Sequence, residues 1–171
     1  VTKELEKLGA LIVYNQRAEN IPNDCDLVIY TIAVTPDNPE FTEAKKCGIP
    51  MLSYPEALGI VSKEKYTIAI TGTHGKTTTT AMVAKILIYA GLDPTVIVGG
   101  KLSGLGGTNA RLGKGDFIVV EADEFDRSFL SITPTIAVLT TLETDHLDCY
   151  RDLEDIKGAF IQFANKAPFY G

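Results

Sequence analysis

Basic charge, paired cysteines and long apolar runs are all scarce in this sequence. Its 16 Lys and Arg residues are outnumbered by 22 Asp and Glu residues, which gives a formal net charge of -6. Because non-specific binding of nucleic acid depends on a basic face, this balance argues against a nucleic-acid partner. Any phosphate that the protein binds must therefore be held by a local arrangement of donors.

The three cysteines, Cys25, Cys47 and Cys149, are widely separated and form no CxxC pair. Neither a disulfide framework nor a structural zinc site is indicated. No apolar run near either end approaches the ~18 to 20 residues of a membrane helix, and no signal peptide opens the sequence. These absences predict a cytoplasmic protein without a membrane partner, and they leave the oligomeric state open.

Strand-like segments alternate with helical segments along the chain, which predicts an α/β fold with a parallel-rich sheet. The predicted strands are 11–14, 26–31, 49–52, 67–71, 95–98, 117–123 and 135–141, and the main predicted helices are 39–47, 77–90 and 153–166. The pattern breaks between residues 57 and 65, where we expect a domain boundary. The runs at 117–120 and 136–139 are continuously apolar, as in strands covered on both faces.

The strongest motif is Thr71-Gly72-Thr73-His74-Gly75-Lys76-Thr77-Thr78, between a buried-type strand and a helix. Its glycines permit a turn that aims successive N–H groups at one point, and the helix N-terminus adds a positive dipole end. Lys76 would reach nucleotide phosphates, and the Thr77 hydroxyl suits Mg²⁺. The predicted nucleotide-binding residues are Gly72, Thr73, His74, Gly75, Lys76, Thr77 and Thr78. The position five before Gly75 is Ile70, so the loop is a compact variant of the phosphate-binding formula.

Acidic residues follow the next buried strand. Glu121 ends that strand, and ligands gather at the carboxyl ends of parallel strands, so Glu121 is predicted to bind a metal ion. Asp123, Glu124 and Asp126 follow, and for Glu124 and Asp126 we expect a solvated acidic turn. His146 lies in a second polar loop, where it is a surface residue, a ligand of a second divalent ion, Mg²⁺ or Mn²⁺, or a general acid or base.

A glycine-rich segment, residues 99–111, separates two of the predicted strands. It is either a flexible connection or a substrate-binding loop, in which Asn109 and Arg111 would be the polar contacts.

The segments GTHGKTTTT, EADEFDRSFL, LETDHLDCY, the GG...NARLG loop and APFYG occur in one order, and together they resemble the Mur ligases. These ligases use ATP to build the peptide stem of bacterial peptidoglycan. The upstream segment TIAVTPDNPEFTEAKKCGIP is similar to their N-terminal domain. The resemblance covers essentially the whole chain.

This resemblance implies the end of a Rossmann-like UDP-sugar-binding domain over residues 1–62 and part of a P-loop ATPase domain over 63–171. It implies an internal segment of a longer ligase, without the opening strand-turn-helix and the C-terminal amino-acid-binding domain, and inactive alone. Lys76 would contact phosphate, Thr77 and Glu121 would bind the first Mg²⁺, and His146 the second. These three, Lys76, Glu121 and His146, are the predicted catalytic residues. The residues expected to face the UDP-sugar are Thr31, Asn38, His74, Asn109 and Arg111.

The implied reaction joins L-alanine to the lactyl carboxylate of UDP-N-acetylmuramate through an acyl phosphate. A related activity, the reattachment of recycled murein tripeptide to the same UDP-sugar, is the nearest alternative. A folate-directed ligase and a nucleotide-binding segment without turnover are more distant ones.

Overall fold

The computed structural model describes residues 2–102, 107–143 and 149–170. The chain divides into two compact units, Val1–Ala57 and Leu58–Gly171. Both contain parallel strands and helices, which confirms the predicted α/β class. In the described part of the chain, no helix has the length and apolar character needed to cross a membrane.

The first unit contains a two-stranded parallel sheet. Its elements are α1 (Thr2–Lys7), β1 (Val28–Tyr30), α2 (Pro39–Lys46), β2 (Met51–Ser53) and the start of α3 (Tyr54–Lys63). Helix α2 begins where predicted because the Asn38 side chain accepts hydrogen bonds from the amides of Glu40 and Phe41. Pro39 then occupies the first turn, where a missing N–H costs nothing.

The predicted strand over residues 11–14 is wrong. These residues form neither helix nor strand, and Leu11 and Tyr14 are 90% and 79% exposed. A strand is stabilised by a neighbour that pairs its backbone groups and packs against its side chains, and nothing in the described chain pairs with this segment. Helix α3 differs from the expected break over residues 57–65, because the charged residues there continue a helix instead of ending the pattern.

The second unit is built on a five-stranded sheet with the strand order β5-β4-β6-β3-β7. Its elements after α3 are β3 (Tyr66–Thr71), α4 (Lys76–Tyr89), β4 (Thr95–Leu102), β5 (Thr108–Arg111), β6 (Phe117–Glu121), β7 (Ile136–Leu139) and α5 (Leu153–Ala164). Strands β4, β6, β3 and β7 are parallel, and only β5 is antiparallel to its neighbour. The predicted parallel-rich sheet is therefore confirmed.

The glycine-rich segment is largely strand rather than loop. Strand β4 continues through Gly99 and Gly100, and β5 returns beside it at the edge of the sheet, with a register shift between Ile97 and Leu102. Glycine is tolerated here because a ladder needs only backbone groups, although it weakens the strand and favours irregular pairing. Residues 103–106 lie outside the described chain.

Strand β6 is covered on both faces, as its apolar run predicted. Ile118 and Val120 belong to a core that includes Phe160 and Phe163 of α5, whereas Val119 belongs to a second core that includes Ala84 of α4. Successive side chains of a strand point to opposite faces, so α4 and α5 cover opposite sides of the sheet. Packing of α4 and α5 on the two faces of the sheet holds the carboxyl ends of β3 and β6 beside each other.

Replacement of Phe163 by alanine tests this core. Phe163 is fully buried and stacks on Phe129 with ring centroids 5.0 Å apart. We expect a loss of about 3–5 kcal/mol in the free energy of unfolding, because the cavity can close only partly. Ile161 of the same helix is 61% exposed, so Ile161→Ala should cost less than about 1 kcal/mol. Urea denaturation followed by circular dichroism measures both, and equal losses would contradict the assignment of the buried face.

Candidate functional site

The turn between β3 and α4 begins at Gly72 and ends at Gly75, and both glycines have positive φ (132° and 83°). Gly75 is the N-cap of α4 and provides no side-chain cap. The first amides of a helix have no partner within it, and their dipoles favour an anion. The amides at the start of α4, including those of Lys76, Thr77 and Thr78, are therefore suited to bind phosphate.

The other half of the turn is bound to the segment that follows β7. The Thr73 amide donates to the Thr141 carbonyl at 2.9 Å, and the His74 amide donates to Thr141 Oγ1 at 3.0 Å. Thr140 Oγ1 donates to the His74 carbonyl at 2.6 Å. Both amides already donate hydrogen bonds to Thr141 in this structure. The predicted phosphate-binding amides are therefore reduced to those of residues 75–78.

Lys76 lies over the turn and is 12% exposed. Its Nζ donates to the carbonyls of Gly72 at 2.7 Å and Thr73 at 3.3 Å. It also forms an ion pair with the Glu124 carboxylate, with Nζ–O distances of 2.8 and 2.9 Å. The ammonium group therefore lies beside the start of α4, and its predicted contact with phosphate stays a prediction.

Glu121 reaches the same end of α4 from the carboxyl end of β6. The Thr77 hydroxyl lies 3.0 Å from both oxygens of the Glu121 carboxylate, and the Gly99 amide donates to Oε2 at 3.1 Å. A Cβ on Gly99 would lie 3.3 Å from Oε1, so a side chain there would crowd the carboxylate. Strands β3, β4 and β6 thus all contribute to one site.

His74 lies at the exposed edge of the turn. Its Nε2 is 3.6 Å from Glu143 Oε2, and both side chains are 62% exposed. The Glu143 amide donates to Thr73 Oγ1 at 2.9 Å, which ties this pair to the turn. His146 and the rest of its loop, residues 144–148, lie outside the described residues.

The structure does not bring Arg111 to the turn. Strand β5 pairs Arg111 with Val96 in the first half of β4, away from the carboxyl ends of the parallel strands. The Arg111 guanidinium forms an ion pair with Asp93 and donates to the Pro94 carbonyl at 2.6 Å. Asn109 is exposed on β5. Their predicted substrate contacts stay predictions.

Thr31 and Asn38 belong to the first unit, where they line a cavity of about 200 Å³. Thr31 directly follows β1. The Asn38 amide group caps α2 and donates to Gln16 Oε1 at 2.9 Å, so its polar atoms already have structural partners. Contact of either residue with a UDP-sugar stays a prediction.

The expectation that Glu124 is solvated is wrong, whereas Asp126 is exposed as expected. The Glu124 side chain is 3% exposed and carries the counter-ion of Lys76. The Tyr150 hydroxyl donates to the Glu124 carbonyl at 2.6 Å, and burial raises the pKa of Tyr150 to about 12. The sequence did not show which acid turns inward, because that depends on an unusual backbone at the next residues, Asp126 and Arg127.

Thr77 and Glu121 are the described residues that fit a metal ion. They present a hydroxyl and a carboxylate side by side, and Mg²⁺ prefers oxygen ligands. Among residues 2–102, 107–143 and 149–170, no group of three or more His, Cys, Asp or Glu side chains could hold a metal ion. The pair suits Mg²⁺, which commonly takes its remaining ligands from water and substrate phosphate.

Comparison with known proteins gives concordant results. Residues 70–171 match the Mur ligase middle domain, and residues 1–66 match the model described as the Mur ligase family, catalytic domain. A UDP-N-acetylmuramate–L-alanine ligase from Geotalea uraniireducens (strain Rf4) is 53% identical over 171 residues, all of this chain and 37% of the relative. The chain thus spans just over a third of that relative's length.

Two solved structures are similar to most of the chain. The UDP-N-acetylmuramate-alanine ligase of Thermotoga maritima has a TM-score of 0.86 at 36% identity, over 97% of this chain and 39% of that one. The UDP-N-acetylmuramate:L-alanyl-gamma-D-glutamyl-meso-diaminopimelate ligase from Neisseria meningitides has a TM-score of 0.85 at 30% identity, over 97% and 56%.

Replacement of Gly72 by alanine tests the packing of the turn. A Cβ at Gly72 would lie 2.8 Å from the Thr141 carbonyl oxygen and closer still to Thr140 Oγ1. We expect a loss of more than about 2 kcal/mol in the free energy of unfolding, from this clash together with the strained φ. Gly91 is the matched control, since its φ is also positive but a Cβ there meets nothing within 4 Å. Chemical denaturation measures the free energy of unfolding of both variants. An equal loss in the two would mean that the turn is not packed against Thr140 and Thr141.

Proposed function

The chain belongs to the Mur ligase family, and on this premise we propose that it is part of an ATP-dependent ligase that joins L-alanine to the lactyl carboxylate of UDP-N-acetylmuramate. Residues 1–62 would belong to the UDP-sugar-binding domain and residues 63–171 to the ATPase domain, with the amino acid brought by a further domain. The protein would act in the cytoplasm, on small-molecule substrates.

The observation that carries this proposal is the convergence of Lys76, Thr77 and Glu121 at the start of α4. Lys76 and Thr77 begin the helix, and Glu121 meets the Thr77 hydroxyl at 3.0 Å from the neighbouring strand. Cation, hydroxyl and carboxylate therefore surround a helix N-terminus. Such an arrangement is suited to a nucleoside triphosphate and its metal ion.

The chemistry needs two anions, a polyphosphate and a carboxylate, to approach one another. The γ-phosphoryl group of ATP would pass to the lactyl carboxylate, and the amine of L-alanine would displace phosphate from the acyl phosphate. Lys76 and the amides at residues 75–78 would neutralise the phosphates and fix their position. No covalent nucleophile of the enzyme is needed for this sequence.

Bound Mg²⁺ would supply further neutralisation of the transferring phosphoryl group. Thr77 and Glu121 would hold the first ion. The assignment of His146 to a second ion, Mg²⁺ or Mn²⁺, rests on the family resemblance alone. We also retain His74, Thr31, Asn38, Asn109 and Arg111 as proposed contacts of the UDP-sugar.

The choice of L-alanine over a peptide is supported by sequence identity. The chain is 53% identical to the ligase of Geotalea uraniireducens, whose name specifies L-alanine, and 30% identical to the Neisseria ligase, whose name specifies a tripeptide. The TM-scores of 0.86 and 0.85 do not separate the two structural neighbours.

Nucleotide binding by Lys76→Ala tests the role of the turn. In the full-length protein we expect this change to weaken ATP binding at least about tenfold, because a charge-assisted hydrogen bond to phosphate is lost. Lys85 is an exposed residue of the same helix, so Lys85→Ala is the control for the loss of one positive charge. Isothermal titration calorimetry measures both. Equal affinity of Lys76→Ala and the unchanged protein would refute the assigned role.

Amine preference tests the choice of substrate. With ATP and UDP-N-acetylmuramate present, phosphate release by the full-length protein should increase on addition of L-alanine and not on addition of L-alanyl-γ-D-glutamyl-meso-diaminopimelate. Mass spectrometry of the product provides an independent readout. Stimulation by the tripeptide alone would assign the protein to the recycling activity.

A further inference from the structure

Lys76 has no spare hydrogen-bond donor in this structure. An ammonium group has three N–H donors, and Lys76 Nζ has acceptors in the Gly72 carbonyl, the Thr73 carbonyl and the Glu124 carboxylate. To bind a phosphate, Nζ must give up one of these contacts. The contacts that Nζ keeps determine the position of its positive charge relative to the phosphate.

The Glu124 carboxylate is the partner least able to leave. It is 3% exposed, and breaking the ion pair of a buried carboxylate is costly. The Gly72 and Thr73 carbonyls are neutral and belong to the turn itself. We therefore expect phosphate to replace a carbonyl contact while the ion pair persists.

Glu124 is also fixed from behind. Tyr150 is buried, at 3% exposed, and its hydroxyl donates to the Glu124 carbonyl at 2.6 Å. The Arg127 guanidinium lies 4.9 Å from the centre of the Tyr150 ring and pairs with Asp155 at the start of α5, with an N–O distance of 2.7 Å. This series of contacts connects Lys76 to α5.

The backbone beside Glu124 is strained. Asp126 and Arg127 have φ of 52° and 56°, a left-handed conformation that is unfavourable for non-glycine residues. Such strain persists only where surrounding contacts enforce it, and it is concentrated at functional sites. Here the strained residues lie between the acid that holds Lys76 and the arginine that anchors the segment.

We propose that Glu124 is a positioning residue, which holds the Lys76 ammonium in place for phosphoryl transfer and limits how tightly Lys76 binds the nucleotide in the ground state. The proposal rests on the proposed function, since it assumes that Lys76 contacts phosphate. Glu124 touches neither substrate nor metal in this account and acts through Lys76. Its negative charge also opposes ground-state binding of the phosphates, which removing the charge would relieve.

The substitution Glu124→Gln in the full-length protein separates these effects. The amide keeps the shape but loses the charge, so Lys76 is freed to follow the phosphates. We expect ADP to bind about threefold or more tightly by calorimetry without added metal, while kcat for amide formation falls at least about tenfold. A structural defect alone would weaken binding and turnover together. Glu124→Asp keeps the charge and should restore part of kcat and the weaker ADP binding.

Asp126→Asn is the matched control, because it removes one negative charge from an exposed residue of the same segment and asparagine tolerates its positive φ. It should leave ADP affinity and kcat unchanged. Thermal unfolding of each variant identifies loss of fold. If Glu124→Gln does not fold, the test relies on Glu124→Asp, for which we expect a reduced kcat and an ADP affinity that is not reduced.

Three results would overturn the inference: unchanged ADP affinity and kcat in Glu124→Gln, a parallel loss of both in a folded Glu124→Gln protein, or the same opposed changes in Asp126→Asn. Failure of the unchanged protein to bind any nucleotide would instead refute the proposed function, so the two failures are distinguishable.

Discussion

The parallel pairing of β3 with β6 is the constraint on which the site depends. Its register sets Ile70 opposite Glu121, so the turn that follows β3 opens beside the acid that ends β6. Helix α4 starts within that turn, and its Thr77 hydroxyl reaches the Glu121 carboxylate. A shift of one residue in this register would point Glu121 to the other face of the sheet and leave the start of α4 without its acidic partner.

A second layer of contacts holds the turn from two directions. The segment after β7 binds the Thr73 and His74 amides, whereas Glu124 binds the Lys76 ammonium. The anion site therefore has fewer available amides than a glycine loop without such contacts, and the charge of Lys76 is already neutralised by the buried Glu124. In this account the amides of α4 provide the attraction for phosphate, and Lys76 adds a charge whose position is fixed.

Much of the fold and the centre of the site could be predicted from the sequence. Periodicity identified the parallel strands of the second unit and helices α2, α4 and α5, and the strand–turn–helix context of Lys76 identified the phosphate site, because these signals are local. The role of Glu124 could not be predicted. Its burial depends on two left-handed residues and on Tyr150, which is 26 residues away.

Other errors have the same origin in non-local structure. The segment from Leu11 to Tyr14 has strand-like composition but lacks a pairing partner in the described chain, and Gly99 and Gly100 have loop-like composition but lie within β4. Strand β5 also carries Arg111 to the first half of β4, away from the turn, and its predicted contact with the UDP-sugar stays a prediction.

A double-mutant cycle on Thr77 and Glu121 tests whether the two side chains hold one metal ion. The measurement is the increase in ATP affinity on addition of Mg²⁺ for the unchanged full-length protein, Thr77→Val, Glu121→Gln and the double variant. If both side chains hold one ion, each single change should abolish most of the increase and the double variant should lose little more. Additive losses, or an increase that survives in Glu121→Gln, would contradict a shared metal site at the start of α4.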